Sequence, residues 1–308
     1  MPTLFVGLDA GGTKTAVVAA VNDGDVSFEE TIGGINLQRT SPEEAAAAFA
    51  AAVQDARSQF PEVTAICAAA GVAGGGRDDE ARDLAERWRA LLPADLPNAT
   101  SVVHDGVIAL EGAFRGESGA IVIAGTGSVV LVRSRNHTYA RAGGWGYLIG
   151  DEGSGHALGA EGFRAVAAAL DGGPETRLRS VLEERFAISS RDELIRAVYR
   201  ARMPLQTLAP SVLELAAGGD AACISAVRRQ VGALADQLAW AVGMEPDVDP
   251  RVALIGGLTR EAYYRMELVS AIQERLPAWQ MVEPAGPPVE GALRLARRLT
   301  PALPPRGE

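Results

Sequence analysis

Two short glycine-rich turns, each between two apolar strands, contain the residue types that bind phosphate. The first is Gly11-Gly12-Thr13-Lys14 and the second is Gly125-Thr126-Gly127-Ser128. Glycine lets backbone N–H groups approach an anion closely, and hydroxyl groups add donors. The alternative is a pair of tight hairpins that need glycine only for a positive φ, but such tips usually carry Asn-Gly or Asp-Gly. We therefore expect both turns to bind the phosphates of one nucleotide in a cleft between two lobes; for Lys14, a phosphate contact and chance are equally open.

Two aspartates lie at the ends of predicted strands. Asp9 directly precedes the first turn, where its carboxylate is placed to hold Mg²⁺ beside phosphates or merely to bond turn amides. Asp105 follows an apolar strand at the start of a helix. There it either presents a carboxylate at the ligand-binding edge of a sheet or simply caps the helix. The spacing alone leaves both pairs of alternatives open.

Two further glycine-rich segments predict close approach of the backbone to a ligand. In Gly143-Gly144-Trp145-Gly146 a tryptophan lies between glycines, a context that packs poorly in a core. Asp151, a few residues later, could equally cap the helix that follows it. Gly256-Gly257 comes after an apolar strand and is either a third point of backbone approach or a plain strand-to-helix turn.

Composition argues against several classes of protein. The formal net charge of −10 disfavours nucleic acid as a partner. No run of about 18 apolar residues predicts a membrane span, and no basic leader precedes the first strand. His104, His137 and His156 lie far apart and no Cys-x-x-Cys occurs, so no zinc site is indicated. Cys67 and Cys223 lie in apolar segments, as expected for a reduced, cytoplasmic protein.

The order of predicted elements indicates a duplicated α/β unit. Residues 1–116 read β-β-β-α-β-α-β-α, and residues 117–308 repeat this order around a helical insertion at 174–217. We expect two lobes with these bounds, with the terminal helix 288–299 able to pack back on the first lobe. A capping box at Ser41 and Glu44 predicts a helix over 42–58.

These segments resemble the actin/hexokinase/Hsp70 ATPase superfamily, and within it the branch that holds N-acetylglucosamine kinase and the BadF/BadG/BcrA/BcrD-type ATPases. The motifs that carry the resemblance lie in the expected order between residues 5 and 296, and the glycine-rich loop 143–155 is the most specific of them. The motifs are residues 9–15, Asp105-Gly106, residues 124–128, residues 143–155, Ile255-Gly256-Gly257 and residues 288–292. The resemblance implies two ribonuclease H-like lobes with a nucleotide and a sugar in the cleft between them.

The resemblance also implies an activity, namely an ATP-dependent kinase that forms the 6-phosphate of an amino sugar, first of all N-acetylglucosamine. It implies ATP and Mg²⁺ as cofactors, a homodimer, and neither nucleic acid nor membrane as a partner. The resemblance implies that Asp105 is the general base and that Asp9 lies at the metal. It implies nucleotide-binding roles for Gly11, Gly12, Thr13, Lys14, Thr126, Gly127, Gly256 and Gly257. It implies sugar-binding roles for Asn36, Asp105, Gly144, Trp145, Gly146 and Asp151.

Alternatives remain at this stage. Glucosamine or N-acetylmuramic acid could be the acceptor, because Ser128 is followed by Val129 and not by the asparagine of the mammalian sugar kinase. An iron–sulfur ATPase activator is disfavoured by two isolated cysteines at unmatched positions. A sugar-sensing repressor is disfavoured by the acidic charge and by the lack of a helix-turn-helix extension. His104 stands where the family often has asparagine.

Overall fold

The computed structural model of the chain describes residues 1–37, 39–74 and 78–302. These residues form two compact units, one from the described parts of 1–117 together with 284–302, and one from 118–283. The strands are β1 (Thr3–Ala10), β2 (Lys14–Val21), β3 (Phe28–Gly33), β4 (Ala65–Val72), β5 (Asn98–His104), β6 (Gly119–Ala124), β7 (Ser128–Arg133), β8 (Tyr139–Gly143), β9 (Arg251–Ile255) and β10 (Gln280–Val282). The α-helices are α1 (Pro42–Ser58), α2 (Asp78–Ala90), α3 (Asp105–Phe114), α4 (Gly155–Leu170), α5 (Leu178–Phe186), α6 (Arg191–Ile195), α7 (Ala209–Ala217), α8 (Ala221–Met244), α9 (Ala262–Arg275) and α10 (Pro288–Arg297).

Each unit contains a five-stranded mixed sheet, and the two sheets have the same strand order. The first sheet runs β3-β2-β1-β4-β5 and the second runs β8-β7-β6-β9-β10. Strand β1 pairs antiparallel with β2 and parallel with β4. In the same way, β6 pairs antiparallel with β7 and parallel with β9. The α/β class and the duplicated ribonuclease H-like topology predicted from the sequence are confirmed.

Local sequence sets the start of helix α1 and buries its inner face. The Ser41 hydroxyl accepts the Glu44 N–H at 3.2 Å, and the Glu44 carboxylate accepts the Ser41 N–H at 3.0 Å. This is the predicted capping box, which satisfies two amides that the helix cannot pair internally. Phe49 then packs on Trp88 of α2, with ring centroids 5.1 Å apart, in the core that covers one face of the first sheet.

The C-terminal helix α10 covers the opposite face of the first sheet. Val289 and Leu293 of α10 bury against Val18 and Ala20 of β2. The sequence assigned this helix to the residue range of the second lobe, with the option of packing back. In the structure it belongs to the first unit, and the two ends of the described chain therefore form one folding unit.

Glycine makes the contact of α10 with its neighbours unusually close. A Cβ atom at Gly291 would overlap the carbonyl oxygen of Ile108 in α3, and one at Gly7 of β1 would overlap the backbone N of Leu293. On the same helix pair, Arg298 donates two hydrogen bonds to the fully buried Glu111 carboxylate of α3, at 3.0 and 2.9 Å. Helix α3 is thus held against strand and helix backbone.

In the second unit, the predicted helical insertion at 174–217 folds as α5, α6, a π-helical turn (Arg196–Arg200), a 3₁₀ turn (Leu205–Leu208) and α7. Leu208 and Val212 from this segment are buried in the same core as Leu234 of α8 and Leu158 of α4. No helix within residues 1–37, 39–74 and 78–302 combines the length and the apolarity that crossing a membrane requires.

Replacement of Gly291 by alanine tests the close packing of α10. The added methyl group meets backbone, which cannot rotate away, so we expect Gly291→Ala to lower the free energy of unfolding of the first unit by about 1–3 kcal/mol or more. Urea unfolding monitored by tryptophan fluorescence measures this. Gly243→Ala in α8 is the matched control, since its Cβ has nothing within 4 Å; it should be neutral or slightly stabilising. Equal unfolding curves for Gly291→Ala and wild type would contradict the packing.

Candidate active site

The first glycine turn connects β1 and β2 and projects from the end of the sheet. Gly11 donates its N–H to the carbonyl of Lys14 at 3.1 Å, which closes the turn, and Gly12, Thr13 and Lys14 are exposed. A Cβ at Gly34 would lie 2.6 Å from the carbonyl oxygen of Gly12, so the segment after β3 packs directly on the turn. Exposed glycine and hydroxyl residues on a braced turn can receive an anion.

The same packing brings Asn36 to the first turn. The Ile35 N–H donates to the carbonyl of Gly11 at 2.9 Å, and Asn36 forms a parallel bridge with Ala73 beyond the end of β4. Its amide nitrogen lies 3.5 Å from the position that a Cβ of Gly12 would occupy. The structure therefore places Asn36 beside the turn.

Asp9 and Asp105 lie at the same edge of the first sheet. Strands β1, β4 and β5 run parallel, Asp9 is opposite Gly71, and Gly71 is opposite Val103, two residues before Asp105. Burial, and to a smaller extent the Asp105 carboxylate, raise the pKa of Asp9 to about 6, and Lys14 opposes both. The two carboxylates are therefore within electrostatic reach of each other, and an added cation would relieve the repulsion.

A single carboxylate of this kind fits Mg²⁺. Within the described ranges no group of three or more His, Cys, Asp or Glu side chains could hold a metal ion alone. Mg²⁺ bound with a nucleotide usually takes only one or two protein carboxylates and fills its other positions with water and phosphate oxygens. Asp9, half-buried beside the turn, is a donor of that type.

Asp105 is the first residue of α3, and the residue that caps the helix is His104 and not Asp105. Both side chains accept the Gly106 N–H at the start of the helix, His104 through Nδ1 at 3.0 Å and Asp105 through Oδ1. Its Oδ1 atom accepts the Gly106 N–H at 2.8 Å and lies 2.9 Å from Nδ1 of His104, and its side chain is 40% exposed. The exposed part of this carboxylate is open to a substrate.

The second glycine turn, between β6 and β7, is joined to the N-terminus of α4. Gly125 donates its N–H to the carbonyl of Gly127 at 2.9 Å, and the first amides of α4, on Gly155 and His156, donate to the carbonyls of Gly125 and Thr126 at 2.8 and 3.3 Å. The turn and the helix N-terminus thus form one backbone surface. Such a surface lies at the positive end of a helix dipole, which favours an anion such as phosphate.

A cavity of about 880 Å³ opens from this second turn. Gly125 and Thr126 form one side of it, and Gly257, which follows β9, forms another. A Cβ at Gly256 would overlap the carbonyl oxygen of Ala124, so the end of β9 lies tightly against β6. The volume is within the range of small-molecule sites and is large enough for a nucleotide.

Sequence reasoning missed the remaining wall of this cavity. The wall comes from the helical insertion, from the short turn that precedes α9 and from the start of α9, and its residues are Gln206, Ala209, Pro210, Leu213, Glu214, Ala217, Leu258, Glu261, Ala262 and Tyr263. Most of these side chains are small or apolar and carry no chemical signature. They line the cavity because the backbone of the 3₁₀ turn and α7 passes there, which no local pattern predicts.

In the loop that follows β8, the side chain of Asp151 is buried, whereas apolar side chains such as that of Trp145 are exposed to solvent. Asp151 is buried at φ +62°, and its Oδ1 accepts the Gly146 N–H at 3.1 Å. Burial raises the pKa of Asp151, and the hydrogen bond from Gly146 opposes this. Ser154, not Asp151, caps α4. Trp145 is 74% exposed, next to Gly144, and its indole ring is free to cover a ligand.

The chain is similar to a family of ATPases over nearly its whole length. Residues 6–296 match the BadF/BadG/BcrA/BcrD ATPase family. Because the match covers far more than half of the chain, the chain belongs to this family.

Several relatives of known name are similar to the chain. It is 31% identical over 209 residues to the N-acetylmuramic acid/N-acetylglucosamine kinase of Clostridium acetobutylicum. The aligned segment covers 66% of this chain and 67% of the relative. It is 28% identical over 314 residues to the N-acetyl-D-glucosamine kinase of Dictyostelium discoideum, which covers 95% and 97%. It is 26% identical over 303 residues to a glucosamine kinase of Vibrio cholerae, which covers 95% of each.

Solved structures show the same fold. A protein of Chromobacterium violaceum, provisionally assigned as an N-acetylglucosamine kinase, superposes with a TM-score of 0.73 at 28% identity, covering 96% of this chain and 99% of that one. A glucokinase of Streptomyces griseus, solved with glucose and AMPPNP, superposes with a TM-score of 0.56 at 18% identity, covering 95% and 98%. The second likeness concerns the fold alone.

The raised pKa of Asp9 predicts a stability change with pH. An unfolded aspartate titrates near 3.9, so between about pH 4 and pH 6 the folded protein keeps a proton that the unfolded chain has lost, and stability falls as the pH rises through this window. Asp9→Asn removes this loss and should raise the free energy of unfolding at neutral pH by up to about 3 kcal/mol. Urea unfolding at several pH values measures it.

The control for this experiment is Asp55→Asn, at an exposed position of α1. It should leave the pH dependence as in wild type. An Asp9→Asn protein that is less stable than wild type at neutral pH would show that burial does not disfavour the charged form of Asp9.

Proposed function

We propose that this member of the BadF/BadG/BcrA/BcrD ATPase family is an ATP-dependent amino-sugar kinase that phosphorylates the 6-hydroxyl of N-acetylglucosamine. The observation that carries the proposal is the pair of carboxylates at one sheet edge. Asp9 lies against the first turn with its pKa raised to about 6, and Asp105 stands at the start of α3 with part of its carboxylate exposed. One suits a cation and the other a general base. The names of the relatives support the choice of an amino sugar.

Each unit contains a glycine turn that would bind phosphate. In the first unit, Gly11, Gly12, Thr13 and Lys14 would bind phosphate, and Asp9 would hold Mg²⁺, which supplies charge neutralisation on the phosphates when it is bound. In the second unit, Thr126 and Gly127 would bind phosphate at the N-terminus of α4. Gly256 and Gly257 would lie at the adenosine, with the 880 Å³ cavity receiving the base and ribose.

Phosphoryl transfer requires mainly positioning and charge stabilisation from the protein. We assign Asp105 as the base that accepts the proton of the sugar hydroxyl as that oxygen attacks the γ-phosphorus. Asn36, beside the first turn, would bind a sugar hydroxyl or the amide. Gly144 and Gly146 would allow the loop backbone to approach the sugar, Trp145 would cover its ring, and Asp151 would fix the loop through the Gly146 N–H.

The proposal names N-acetylglucosamine as the acceptor. Glucosamine and N-acetylmuramic acid are the alternative acceptors, and they are also the sugars named for two of the relatives.

An iron–sulfur electron carrier finds no support in the two cysteines, because Cys67 and Cys223 are buried free thiols and burial raises their pKa to about 11 and about 12. A cluster needs thiolates.

The cytoplasmic location and the homodimer remain predictions. An enzyme that consumes ATP works where ATP is supplied, which favours the cytoplasm. Sedimentation velocity over a range of protein concentrations would test the homodimer, and a single species of 32.1 kDa would contradict it.

Filling the cavity of the second unit tests the nucleotide site. Ala262 is the first residue of α9, is exposed and lines the cavity. Ala262→Trp places an indole in the space assigned to adenosine, so the KM for ATP should rise far more than the KM for the sugar. Steady-state kinetics with each substrate varied in turn measures this. Ala221→Trp is the matched control, since Ala221 is the exposed first residue of α8 and does not line the cavity; ATP kinetics changed equally by both would refute the assignment.

Removal of the carboxylate of Asp105 tests the kinase chemistry. Asp105→Asn keeps the shape of the side chain and should lower kcat by about 10²–10⁴-fold, the usual contribution of a general base. ADP release is measured across N-acetylglucosamine, glucosamine, N-acetylmuramic acid and hexoses.

In wild type, ATP turnover should be slow alone and strongly stimulated by the right sugar, because the correct acceptor completes the site and water does not. Brisk ATP hydrolysis that no sugar changes would remove the kinase proposal.

A further inference from the structure

Helix α8 presents two buried glutamines, Gln230 and Gln237, to the loop that joins β8 to α4. They lie about two helical turns apart and therefore on one face of the helix, and they are 9% and 5% exposed. The amide nitrogen of Gln237 donates to a carboxylate oxygen of Glu152 at 2.7 Å, and Oε1 of Gln230 accepts the Gly153 N–H at 3.0 Å. Both bonds end in the loop, which comprises residues 144–154, so α8 supports this loop.

The side chain of Gln237 contacts the chain at both ends of the loop. A Cβ atom at Gly143, the last residue of β8, would overlap Oε1 of Gln237, and Gly143 has a φ of +71°. Near the other end, Glu152 accepts the hydrogen bond from Nε2. Because a carboxylate oxygen only accepts hydrogen bonds, Nε2 must face Glu152 and Oε1 must face Gly143. The orientation of the amide is therefore determined, and one side chain spans the start and the end of the loop.

Other contacts fix the end of the loop without Gln237. The Gly153 carbonyl accepts a hydrogen bond from the hydroxyl of the fully buried Tyr264 at 2.6 Å. The Glu152 carbonyl accepts one from the hydroxyl of Ser128, which follows the second glycine turn, at 2.7 Å. Removal of the Gln237 amide therefore leaves the end of the loop attached to α8, α9 and the turn, and it loosens the start of the loop relative to that end.

Stability alone does not account for a glutamine at position 237. Among the residues that the structure describes, Oε1 of Gln237 is buried and has no hydrogen-bond partner. An unpaired buried acceptor is destabilising, and an aliphatic side chain of similar size would avoid it. The polar side chain is better explained by the two loop ends that it contacts.

We propose that Gln237 is a positioning residue for the segment that contains Gly144, Trp145 and Gly146. It acts through Gly143 and Glu152, and it keeps the start of the loop at a set distance from the second glycine turn, to which Glu152 is bonded. This inference rests on the proposed kinase function, in which the loop binds the sugar and the turn binds phosphate. The position of the sugar relative to the phosphate then depends on the Gln237 amide.

Kinetics tests the positioning role. Gln237→Leu removes the amide, so it should lower kcat/KM for the sugar by about 10- to 100-fold, since a displacement of about 1 Å can cost about 100-fold. The KM for ATP should change far less. Gln273→Leu is the matched control, because Gln273 is exposed on α9, and it should leave both substrates unaffected. An unchanged kcat/KM for the sugar in Gln237→Leu, or equal losses for sugar and ATP, would overturn the inference and leave the kinase proposal standing.

An exchange of the two partners separates positioning from a loss of packing. Gln237→Glu alone brings two carboxylates together, which repel each other, and it should lower kcat/KM for the sugar as Gln237→Leu does. Addition of Glu152→Gln restores an amide–carboxylate hydrogen bond with donor and acceptor exchanged, so the double variant should recover most of the loss. A double variant as poor as Gln237→Glu would show that the hydrogen bond does not position the loop.

Hydrogen exchange, measured by mass spectrometry, tests the same role without an assay of activity. The N–H groups of Gly146, Ile149 and Gly150 are hydrogen-bonded within the loop, so their exchange reports its order. They should exchange faster in Gln237→Leu than in wild type, whereas the segment from Gly153 into α4 should be unchanged. Equal exchange in both proteins would refute the positioning role. If wild type phosphorylates no sugar, the proposed function fails, and this measurement still decides whether Gln237 positions the loop.

Discussion

The close packing of α10 on α3 and β1 is the constraint on which the rest of the candidate site depends. Helix α3 begins with Asp105, and its distance from the sheet is set where Gly291 meets Ile108 and where Gly7 meets Leu293. Backbone contacts of this kind leave little freedom, because backbone atoms cannot change rotamer to relieve an overlap. The segment that places the proposed base therefore comes from the last residues of a chain whose first strand carries Asp9.

The same site is electrostatically unfavourable without its ligands. Burial of Asp9 raises the pKa of its carboxyl group to about 6, and the nearby Asp105 carboxylate contributes to the rise. A fold selected only for stability would replace one of them by a neutral residue. The arrangement is reasonable if a cation and a phosphate chain arrive together, because the cation removes the repulsion that the ligand-free protein retains. In the proposed function, lower stability of the ligand-free form would be part of how the site favours metal-bound nucleotide.

Sequence reasoning succeeded where the signal was local. The glycine turns, the capping box at Ser41 and the β-β-β-α-β-α-β-α order all follow from neighbouring residues, and the structure has them at or near the predicted positions. It failed where contacts are distant in sequence. The close backbone contact between Gly291 and Ile108 joins residues nearly two hundred positions apart. Ala209 and Leu213 line the cavity with apolar side chains, which give no sequence motif for a binding site. His104 as the cap of α3 was also missed, since histidine is not among the usual caps.

One topology would support the two proposed sites because different segments cover the two sheets. In the first unit α10 packs against α3 and the sheet, and the half-buried Asp9 and the partly exposed Asp105 lie at the carboxyl ends of β1 and β5. In the second unit the insertion that ends in α7 stands beside the corresponding edge and encloses a cavity of about 880 Å³. Binding of an adenine and ribose needs an enclosed, mostly apolar space, whereas proton transfer needs an accessible carboxylate with a fixed geometry. The duplicated sheets supply the same turn twice, and the added helices decide which chemistry each turn can serve.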